Sequence, residues 1–481
     1  MRRTRIVCTL GPSSSTLPVL RKMVLSGMDV ARLNFSHGGH DTHRESARLV
    51  REAAALCGRH VALLQDLQGP KIRTGALVPP VVRLLRGRRV TLTSRAVAGN
   101  ADRVPVSHRE LIEVLRPGDR VLLADGEVEL RVLERSEEEA VCTVVRGGTL
   151  GERKGVTAPG RPLDLPPLTG KDLEDLRFGS ELEFDYVALS FVRTAADVHA
   201  CRAELGRIGC PVPIIAKLER ADALRNVREI LEAADGVMVA RGDLGVELPL
   251  GEVPAAQKDI IQRANRAGAP VITATEMLES MVTSSRPTRA EASDVANAIW
   301  DGTDAVMLSQ ETSIGAHPVD AVRAMARICL GAESHPSYQR ARPAPGRPPG
   351  APGARPWREA GSVGAAMALA AAEVASEVAA RAIIAFTESG TTARRVSKAR
   401  PTVPIVAASP HPHVLRRTAL YHGVAPLEVP QGVDTDDMAA KATRSARSSG
   451  LVKPGDRVVL VAGVPVGLSG QTNLVKVEVV S

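Results

Sequence analysis

Short apolar runs that stop abruptly at charged or hydroxyl-bearing residues recur along much of this chain. The stretch from Pro213 to Gly245 shows the pattern clearly: its two apolar runs, PIIA and GVMVA, each end in charged residues, and an amphipathic segment of helical length separates them. Runs of this kind predict two buried strands joined by a helix. In a parallel sheet the carboxyl ends of both strands lie at one rim, so we expect the two charged clusters to meet there.

Strand-like runs of this type alternate with segments of helical length through the first two thirds of the chain. They are RIVCTL at 5–10, DVARLNFS at 29–36, VALLQDLQG at 61–69, YVALSFV at 186–192, IIAKLE at 214–219, GVMVARGD at 236–243, PVITAT at 270–275 and AVMLSQE at 305–311. Regular alternation of strands and helices predicts an α/β fold, and eight such units predict a closed (β/α)8 TIM barrel.

A different pattern interrupts the barrel after its third strand. Short alternating segments such as RRVTLTS and AVCTVVRG, broken by P-G-D and D-G turns, are typical of antiparallel β structure. We therefore predict a catalytic barrel made of residues 1–74 and 159–340, with a small β-barrel domain at 75–158 inserted between them. An insertion at this point overhangs the catalytic rim, which predicts a lid.

The last part of the chain predicts a further domain. Residues 341–356 are rich in proline and glycine, which disfavours helix and sheet and predicts a linker. Residues 357–481 alternate strand-like runs, such as AIIAFT and RVVLVAGVP, with helical segments. This alternation predicts a C-terminal α/β domain.

Composition narrows the classes of function. The chain has 481 residues, enough for several domains, and a hydrophobic content of 44%, as in globular proteins. Aromatic residues make up only 2%, so stacking platforms for single-stranded nucleic acid are nearly absent. The net charge of +8 is spread along the chain, which suits phosphorylated metabolites as well as polyanions.

The cysteines and the apolar run lengths bear on location. Six cysteines without a C-x-x-C pair indicate a reducing, cytoplasmic compartment. The amino-terminal apolar run is too short for a signal peptide, and no stretch approaches a membrane span. We therefore expect a cytoplasmic protein that has neither a membrane nor a nucleic acid as a partner.

Lys217 and Glu219 lie two positions apart at the end of one predicted strand. Side chains two apart on a strand point to the same side, so this ammonium and this carboxylate are expected to project into one site. Asp243 follows the next strand and adds a second carboxylate. Two carboxylates and an amine make a site for a divalent metal and an anionic substrate. The alternative is an ion pair that only stabilises the end of the barrel.

Each predicted barrel strand ends in polar residues. In strand order these are Thr9; Arg32, Asn34 and Ser36; Asp66 and Arg73; Ser190; Lys217 and Glu219; Arg241 and Asp243; Thr275; and Ser309 and Glu311. A single hydroxyl at a strand end is more often structural, but polar ends on all eight strands favour an active site.

Longer motifs give a more specific indication of function. They are RLNFSH (32–37), GPKIRTG (69–75), LGERKGV (150–156), IIAKLE (214–219), MVARGDLGVE (238–247), TATEMLESM (273–281), RPTRAE (286–291), DVANAI (294–299) and DGTDAVMLS (301–309). In these motifs, and over almost its whole length, the chain resembles bacterial pyruvate kinases.

The resemblance implies an enzyme of glycolysis that transfers the phosphoryl group of phosphoenolpyruvate to ADP, producing pyruvate and ATP. It implies Mg²⁺ as the cofactor, with Mn²⁺ as a substitute, and a homotetramer. The residues to which it assigns roles are Glu219 and Asp243 as metal ligands; Lys217 over the moving phosphoryl group; Arg32 and Arg73 on phosphate oxygens; Ser190, Gly242 and Asp243 at the substrate; and Thr275 beside the carbon that is protonated.

The resemblance also points to residues near the nucleotide. Lys154, in the last turn of the inserted domain, matches a lysine that reaches the nucleotide phosphates when the lid closes. His37 and Pro12 match positions beside the nucleotide, a site that Arg73 shares. For His37 the alternative is an ordinary surface histidine.

The sequence departs from the family just after the third strand. Many members read D-T-K-G-P-E there and bind an activating K⁺, whereas this chain reads D-L-Q-G-P-K. Leu67 offers no side-chain oxygen, and the substitutions together add the positive charge that K⁺ would bring. We therefore predict that K⁺ is not required and that the ammonium of Lys71 replaces it, with Asn34, Ser36 and Asp66 as its neighbours. The alternative is that Asn34, Ser36 and Asp66 still bind K⁺.

A loop in the C-terminal domain is rich in hydroxyls. It follows the strand AIIAFT and contains Thr387, Ser389, Gly390, Thr391 and Thr392. Free backbone N–H groups and hydroxyls at the amino end of a helix bind anions. The family uses this loop for a phosphorylated allosteric effector, such as a sugar phosphate or AMP, which implies a regulatory domain. The alternative is a capped helix without a ligand.

Two other classes of function compete with this interpretation. A barrel enzyme that uses phosphoenolpyruvate or pyruvate in another reaction, such as an aldolase, would explain the carboxylates but not the inserted domain with Lys154. A catalytically inactive regulatory protein is disfavoured because Lys217, Glu219, Asp243 and Thr275 are all present.

Overall fold

The described residues form a barrel, an inserted β domain and a C-terminal α/β domain. They comprise residues 1–336, 338, 362–465 and 471–481 of a computed structural model. The predicted linker at 341–356 lies outside them. Within these ranges, no helix combines the length and the apolar character needed to cross a bilayer. The fold class predicted from the sequence is confirmed.

Strands and helices follow one another along the described residues in this order. The strands are β1 (Arg5–Thr9), β2 (Val30–Asn34), β3 (Ala62–Asp66), β4 (Val81–Leu84), β5 (Arg89–Thr93), β6 (Arg103–Pro105), β7 (Arg120–Leu123), β8 (Val128–Arg135), β9 (Glu139–Arg146), β10 (Gly148–Gly151), β11 (Val156–Thr157), β12 (Tyr186–Leu189), β13 (Ile214–Leu218), β14 (Gly236–Ala240), β15 (Val271–Ala274), β16 (Ala305–Leu308), β17 (Ala382–Phe386), β18 (Ile405–Ser409), β19 (Val424–Glu428), β20 (Arg457–Ala462) and β21 (Leu474–Val479). The α-helices are α1 (Leu17–Ser26), α2 (His40–Leu56), α3 (Arg109–Val114), α4 (Gly170–Glu181), α5 (Ala195–Arg207), α6 (Ala221–Arg225), α7 (Val227–Ala233), α8 (Arg241–Glu247), α9 (Val253–Ala267), α10 (Arg289–Asp301), α11 (Gln310–Ser313), α12 (Pro318–Ser334), α13 (Val363–Glu377), α14 (Thr391–Lys398), α15 (Pro412–Thr418) and α16 (Thr435–Ser448).

The barrel is a closed ring of parallel strands in the order β1-β2-β3-β12-β13-β14-β15-β16. It closes between β1 and β16, where Arg5 lies opposite Ala305. Most residues of these strands are buried, because helices cover the outside and side chains fill the inside. Burial on both faces explains why the sequence shows continuous apolar runs rather than alternation. Each of the eight predicted barrel strands is present.

The inserted domain contains β4 to β11, which lie inside the predicted range of 75–158. Its main sheet has the order β11-β7-β8-β9-β5-β6, and β10 pairs with β4. Inward-facing residues such as Val90, Val121, Leu130 and Val144 form a separate apolar core. Alternating burial along β8 and β9 matches the period of two seen in the sequence.

The C-terminal domain covers the amino-terminal end of the barrel. Its sheet has the order β19-β18-β17-β20-β21, and only β21 runs antiparallel. At the junction, Arg5 donates from Nε to the carbonyl oxygen of Tyr421 at 2.9 Å, and Lys398 Nζ lies 2.6 Å from Asp304 Oδ2. Since this domain occupies the amino-terminal end, the carboxyl-terminal rim stays free for a site beneath the inserted domain.

Candidate active site

The carboxyl ends of the barrel strands bring the predicted polar residues to one rim. Their places are β2 for Arg32 and Asn34, β3 for Asp66, β13 for Lys217, α8 for Gly242 and Asp243, and the residues just after β12, β13, β15 and β16 for Ser190, Glu219, Thr275 and Ser309. A cleft of about 580 Å³, open to solvent, lies between this rim and the inserted domain. Lys71, Glu219 and Asp243 line it from the barrel, and Val156 and Thr157 line it from the lid.

The Lys217 ammonium is at the centre of the polar network. Its Nζ lies 2.8 Å from Glu219 Oε1 and 3.2 Å from Asp66 Oδ1, and it donates to Ser190 Oγ at 2.7 Å. Burial lowers the pKa of Lys217, but the charges of Asp66 and Glu219 together raise it by more, so the net pKa lies above the usual lysine value. This buried lysine is therefore charged at neutral pH.

Asp66 joins two of the cations at the rim. Its Oδ2 accepts from Arg32 Nε at 2.5 Å, and Arg32 donates from Nη1 to Thr9 Oγ1 at 2.9 Å. Burial raises the pKa of Asp66, but Arg32 and Lys217 outweigh it, so the net pKa lies below the usual value. Asp66 stays ionised and holds the guanidinium and the ammonium in fixed positions.

Glu219 and Asp243 interact across the rim. Burial is the largest influence on the pKa of Glu219 and raises it. The charge of Lys217 lowers this pKa and that of Asp243 raises it, so the net pKa lies above the usual glutamate value. Two carboxylates that repel each other in a cleft favour a bound cation, and Mg²⁺ commonly takes one or two protein carboxylates and completes its shell with substrate and water. The described residues contain no group of three or more His, Cys, Asp or Glu that could hold a metal. The two carboxylates thus fit Mg²⁺, which needs few protein ligands, better than a metal that takes all its ligands from the protein.

Lys71 lies elsewhere than predicted. Its Nζ is 3.2 Å from Asp243 Oδ1 and 3.7 Å from Asp125 Oδ1 in the lid. The prediction that Asn34, Ser36 and Asp66 are its neighbours is therefore corrected.

Two local features explain why Lys71 points towards Asp243 and the lid. The Asp66 carboxylate is already paired with Arg32 and Lys217, and Asn34 Oδ1 accepts from the backbone N–H of Ser36 at 3.1 Å. After β3 the chain turns at Gly69, which has a φ of +67°. This turn directs Lys71 towards β14 and the lid.

Leu67, the other substituted position, is buried away from the rim. It is 1% exposed and packs in an apolar cluster with Leu176 and Val187. Its side chain thus contributes an apolar contact to the core and no oxygen ligand to the cleft.

Thr275 has an unusual backbone conformation. Its φ is +73°, and that of Glu276 is +55°. A β-branched residue rarely adopts this left-handed region. Gly242 lies directly against it, because a Cβ added there would be 2.7 Å from Thr275 Cγ2. A larger residue at position 242 would displace Thr275.

Glu311 ties together the ends of β15 and β16. Its buried carboxylate accepts from the backbone N–H of Ser309 at 2.6 Å and from that of Leu278 at 3.0 Å. Burial raises the pKa of this carboxyl. Glu311 and Ser309 thus shape the rim on the side of Thr275.

The sequence matches family models over both the barrel and the C-terminal domain. The model described as "Pyruvate kinase, barrel domain" covers residues 1–322, and "Pyruvate kinase, alpha/beta domain" covers residues 365–478. The chain belongs to the pyruvate kinase family.

Named relatives agree with this assignment. The chain is 44% identical to the pyruvate kinase of Mycobacterium tuberculosis over 477 residues, covering 99% of this chain and 98% of the relative. It is 44% identical to that of Geobacillus stearothermophilus over 483 residues, covering 100% of this chain and 81% of the relative. A crystal structure of a pyruvate kinase from Cryptosporidium parvum superposes with a TM-score of 0.91 at 37% identity, covering 100% of this chain and 96% of that one.

Four residues are predicted to lie near the nucleotide of this pyruvate kinase family member: Arg73, His37, Pro12 and Lys154. Burial lowers the pKa of His37, and the nearby charges of Arg73 and Arg32 lower it further, so His37 lies in a positively charged part of the rim. Arg73 donates to the carbonyl oxygen of Arg153 at 3.2 Å. Lys154 is exposed at the base of the lid, and Pro12 is exposed in the turn after β1.

The hydroxyl-rich loop of the C-terminal domain lies between β17 and α14. Gly390, with a φ of +89°, donates from its backbone N–H to Thr387 Oγ1 at 2.8 Å. Ser389 Oγ and Thr391 Oγ1 are 3.0 Å apart, and Thr392 Oγ1 bonds to Thr472 Oγ1 at 2.9 Å. Of the five predicted residues, Thr387, Ser389 and Gly390 lie in the loop, and Thr391 and Thr392 begin α14.

Sequence reasoning missed two residues of the site. Asp125 faces Lys71 from the lid, at a D-G turn that the sequence indicates only as a turn. Phe191 donates its backbone N–H to Glu219 Oε2 at 2.7 Å. Neither contact leaves a signal in the sequence, since one crosses between domains and the other uses a backbone group.

Proposed function

We propose that this enzyme transfers the phosphoryl group of phosphoenolpyruvate to ADP with Mg²⁺ as cofactor, as a step of glycolysis, and that it does so without K⁺. One observation carries the proposal: a buried ammonium, that of Lys217, lies 2.8 Å from Glu219, which in turn faces Asp243. Membership of the family supports the choice of substrates.

In this reaction the bond between phosphorus and the enol oxygen breaks while a bond to a β-phosphate oxygen of ADP forms. Catalysis then depends on placement and on neutralising the charge of the equatorial phosphoryl oxygens. Lys217 is held by Glu219 and Asp66 and needs no reorganisation to stabilise that charge. Arg32, fixed by Asp66, supplies a guanidinium for phosphate oxygens, and Arg73 a second one.

Glu219 and Asp243 would hold Mg²⁺ (Mn²⁺ has similar ligand preferences). When bound there, the ion would supply positive charge that neutralises negative charge on substrate oxygens. The substrate carboxylate is assigned to the backbone at Gly242, which carries no side chain and approaches Thr275 closely. Ser190 accepts a hydrogen bond from Lys217, so it is assigned to the substrate site beside that ammonium.

The second half of the reaction is protonation of enolpyruvate. The third carbon of the enolate takes up a proton as the enolate oxygen becomes the carbonyl of pyruvate. An aliphatic hydroxyl is a weak acid, so Thr275 positions or relays a proton that water supplies.

K⁺ independence is supported by the charge and burial of the substituted positions. Lys71 places a permanent cation at the rim, 3.2 Å from Asp243, although its partners differ from those first predicted. Leu67 is buried in the core. The site thus has the positive charge that a monovalent ion would bring and lacks one of the oxygens that would bind it.

For the nucleotide, the proposal places Arg73, His37 and Pro12 on the barrel side and Lys154 on the lid side. Lys154 is exposed at the base of the lid, and its backbone N–H donates to Thr74 Oγ1 at 2.9 Å. A small movement of the lid would bring this ammonium to the phosphates, since Thr74 anchors its backbone at the junction of the two domains.

A coupled assay tests the proposal directly. Purified protein is mixed with phosphoenolpyruvate, ADP and Mg²⁺, and pyruvate is reduced by lactate dehydrogenase with loss of NADH absorbance. We expect equal turnover in potassium and in tetraalkylammonium buffer, no turnover with a chelator in place of Mg²⁺, and almost none for Lys217→Ala. Strong activation by K⁺ would refute K⁺ independence, and absence of any pyruvate would refute the proposed reaction.

The C-terminal loop is proposed as the site of a phosphorylated effector, either a sugar phosphate or AMP. Thr387, Ser389, Thr391 and Thr392 supply hydroxyls, and Gly390 provides the left-handed backbone at the start of α14. We expect such an effector to lower the phosphoenolpyruvate concentration at half-maximal rate, and the double variant Ser389→Ala with Thr391→Ala to lose that shift. An unchanged saturation curve with both classes of effector would contradict this assignment.

A homotetramer in the cytoplasm completes the proposal. β21 is an edge strand of the described C-terminal sheet, and Val477 and Val479 on it are 42% and 61% exposed. Apolar side chains on an open strand edge suit pairing with a second copy. All six cysteines are free thiols, as expected in a reducing compartment. Light scattering after size-exclusion chromatography measures the assembly directly.

A further inference from the structure

The Arg241 guanidinium donates hydrogen bonds to the backbone carbonyl groups at Thr275. From the first residue of α8, its Nη2 donates to the carbonyl oxygen of Thr275 at 2.7 Å. Its Nε lies 3.2 Å from the same oxygen and 3.2 Å from that of Ala274. One guanidinium thus holds two consecutive carbonyl groups where β15 ends.

The other side of the guanidinium is anchored to two helices. Nη1 contacts both carboxylate oxygens of Asp294 in α10, at 2.7 and 2.9 Å, and Gln257 Oε1 in α9, at 3.2 Å. The Arg241 side chain is only 12% exposed. With Nη1 on these helices and Nε and Nη2 on the carbonyl groups, the guanidinium is held from both sides, so Arg241 connects the helical layer to the rim.

The segment that Arg241 holds is the one with unusual backbone geometry. Thr275 and Glu276 are consecutive non-glycine residues with φ of +73° and +55°. Such conformations persist only where surrounding contacts impose them. The hydrogen bonds from Arg241 to the Thr275 carbonyl oxygen are such contacts. The backbone of Gly242 packs closely against the Thr275 side chain.

We propose that Arg241 is a positioning residue for proton transfer, which acts by holding the Thr275 hydroxyl towards the carbon that is protonated. The inference rests on the proposed function and adds to it. In the step concerned, water gives a proton by way of Thr275 to the third carbon of the enolate of pyruvate. The electron pair of the carbon–carbon double bond forms the new C–H bond, an oxygen lone pair of the enolate forms the carbonyl group, and the hydroxide left from the water passes to solvent. Lys217 and the two carboxylates perform phosphoryl transfer without Arg241.

The variant Arg241→Lys tests this division of labour. A lysine retains the positive charge that pairs with Asp294, but it lacks the guanidinium donors that bond two carbonyl groups at once. Two steps are measured: formation of ATP in a single turnover with rapid quenching, and exchange of the methyl protons of pyruvate with deuterated solvent, followed by NMR in the presence of Mg²⁺ and ATP. We expect exchange to slow by about tenfold or more and single-turnover ATP formation to change by less than about twofold.

A double-mutant cycle shows whether Arg241 acts through Thr275. In a Thr275→Ala background, Arg241→Lys is expected to cause no further loss of exchange, because the group that it positions is gone. Arg202→Lys is the matched control. Arg202, on α5, also donates to a carboxylate, that of Asp235 at 2.9 Å, and to a carbonyl oxygen, that of Ala233 at 2.8 Å. Its variant should leave both steps unchanged.

Three results would overturn the proposal: equal slowing of both steps in Arg241→Lys, no slowing of either, or losses that add in the double variant. Thermal denaturation identifies a variant that fails to fold, and in that case Asp294→Asn, which removes the anchor and keeps the arginine, takes its place with the same expected selectivity. Wild-type protein that makes no ATP would refute the proposed function instead, so the two failures are distinguishable.

Discussion

The ammonium nitrogen of Lys71 lies 3.2 Å from a carboxylate oxygen of Asp243. A cation that belongs to the chain thus stands beside one of the two acidic residues at the rim. The same nitrogen is 3.7 Å from Asp125, so this side chain also connects the barrel to the lid. A positive charge in this cleft contributes to the attraction of the anionic substrates of the proposed reaction.

Replacing the D-L-Q-G-P-K segment by the D-T-K-G-P-E motif that is frequent in the family should make the enzyme dependent on K⁺. The triple variant Leu67→Thr, Gln68→Lys and Lys71→Glu removes one net positive charge and returns an oxygen ligand. We expect its turnover without K⁺ to fall on the order of 100-fold, as when a charge that stabilises a transition state is lost, and K⁺ to restore most of it. Turnover in potassium and in tetraalkylammonium buffers measures this; equal rates in both would contradict the assigned role.

Removing the buried ammonium should slow catalysis strongly, with little effect on the strength of substrate binding. For Lys217→Met we expect kcat to fall by about 100-fold to 1,000-fold, because the charge acts on the transition state. We also expect a loss of about 3 kcal/mol or more in stability, since Glu219 and Asp66 lose a buried partner. Steady-state kinetics and thermal denaturation measure both. Lys258→Met, at an exposed lysine paired with Asp301, is the control and should leave kcat unchanged.

A methyl group at position 242 should displace Thr275. The added Cβ in Gly242→Ala would be 2.7 Å from Thr275 Cγ2, whereas in Gly245→Ala the nearest atom is Leu250 Cδ1 at 3.8 Å. We therefore expect kcat to fall by about 100-fold in Gly242→Ala, as for a reacting group misplaced by about 1 Å. Gly245→Ala should retain most activity. Similar kinetics in the two variants would show that close approach at Gly242 does not matter.

The junction between the barrel and the C-terminal domain should strengthen with rising pH. Burial lowers the pKa of Lys398 to about 8, with Asp304 opposing it, from an unfolded value of 10.5. Between these values the unfolded chain keeps a proton that the folded chain has lost, so stability rises with pH across this window and is lowest below it. The total gain is about 3 kcal/mol.

The measurement for this prediction compares thermal denaturation of wild type and Lys398→Met at a series of pH values. The difference between the two should grow in favour of the wild type from about pH 8 to about pH 10. Subtracting the variant removes the contributions of other titrating groups. Parallel curves would mean that Lys398 keeps its proton in the folded state.

Much of the fold could be predicted because each barrel strand is buried on both faces. Runs such as GVMVA in β14 and AVML in β16 must be continuous and apolar, and a polar residue marks the point where each apolar run ends. The spacing of Lys217 and Glu219 placed both on one side of β13, and the structure has them 2.8 Å apart. These inferences need only local periodicity.

The direction of a side chain on a loop could not be predicted in the same way. Lys71 follows a turn at Gly69, and the φ of that glycine, not its neighbours in sequence, decides which carboxylate the ammonium meets. The prediction chose residues close in the motif, while the structure pairs Lys71 with Asp243 and Asp125, both far along the chain.

The sequence by itself determined the elements, the rim and the identity of the polar residues on it, since burial and strand periodicity are local properties of the chain. Tertiary structure alone decided which charges pair, that Arg241 donates to the carbonyl group of Thr275, a residue with a left-handed backbone, and that Lys398 reaches Asp304 beneath the barrel. Those relationships depend on distances between segments that fold together from distant parts of the sequence, where packing in three dimensions sets the electrostatics.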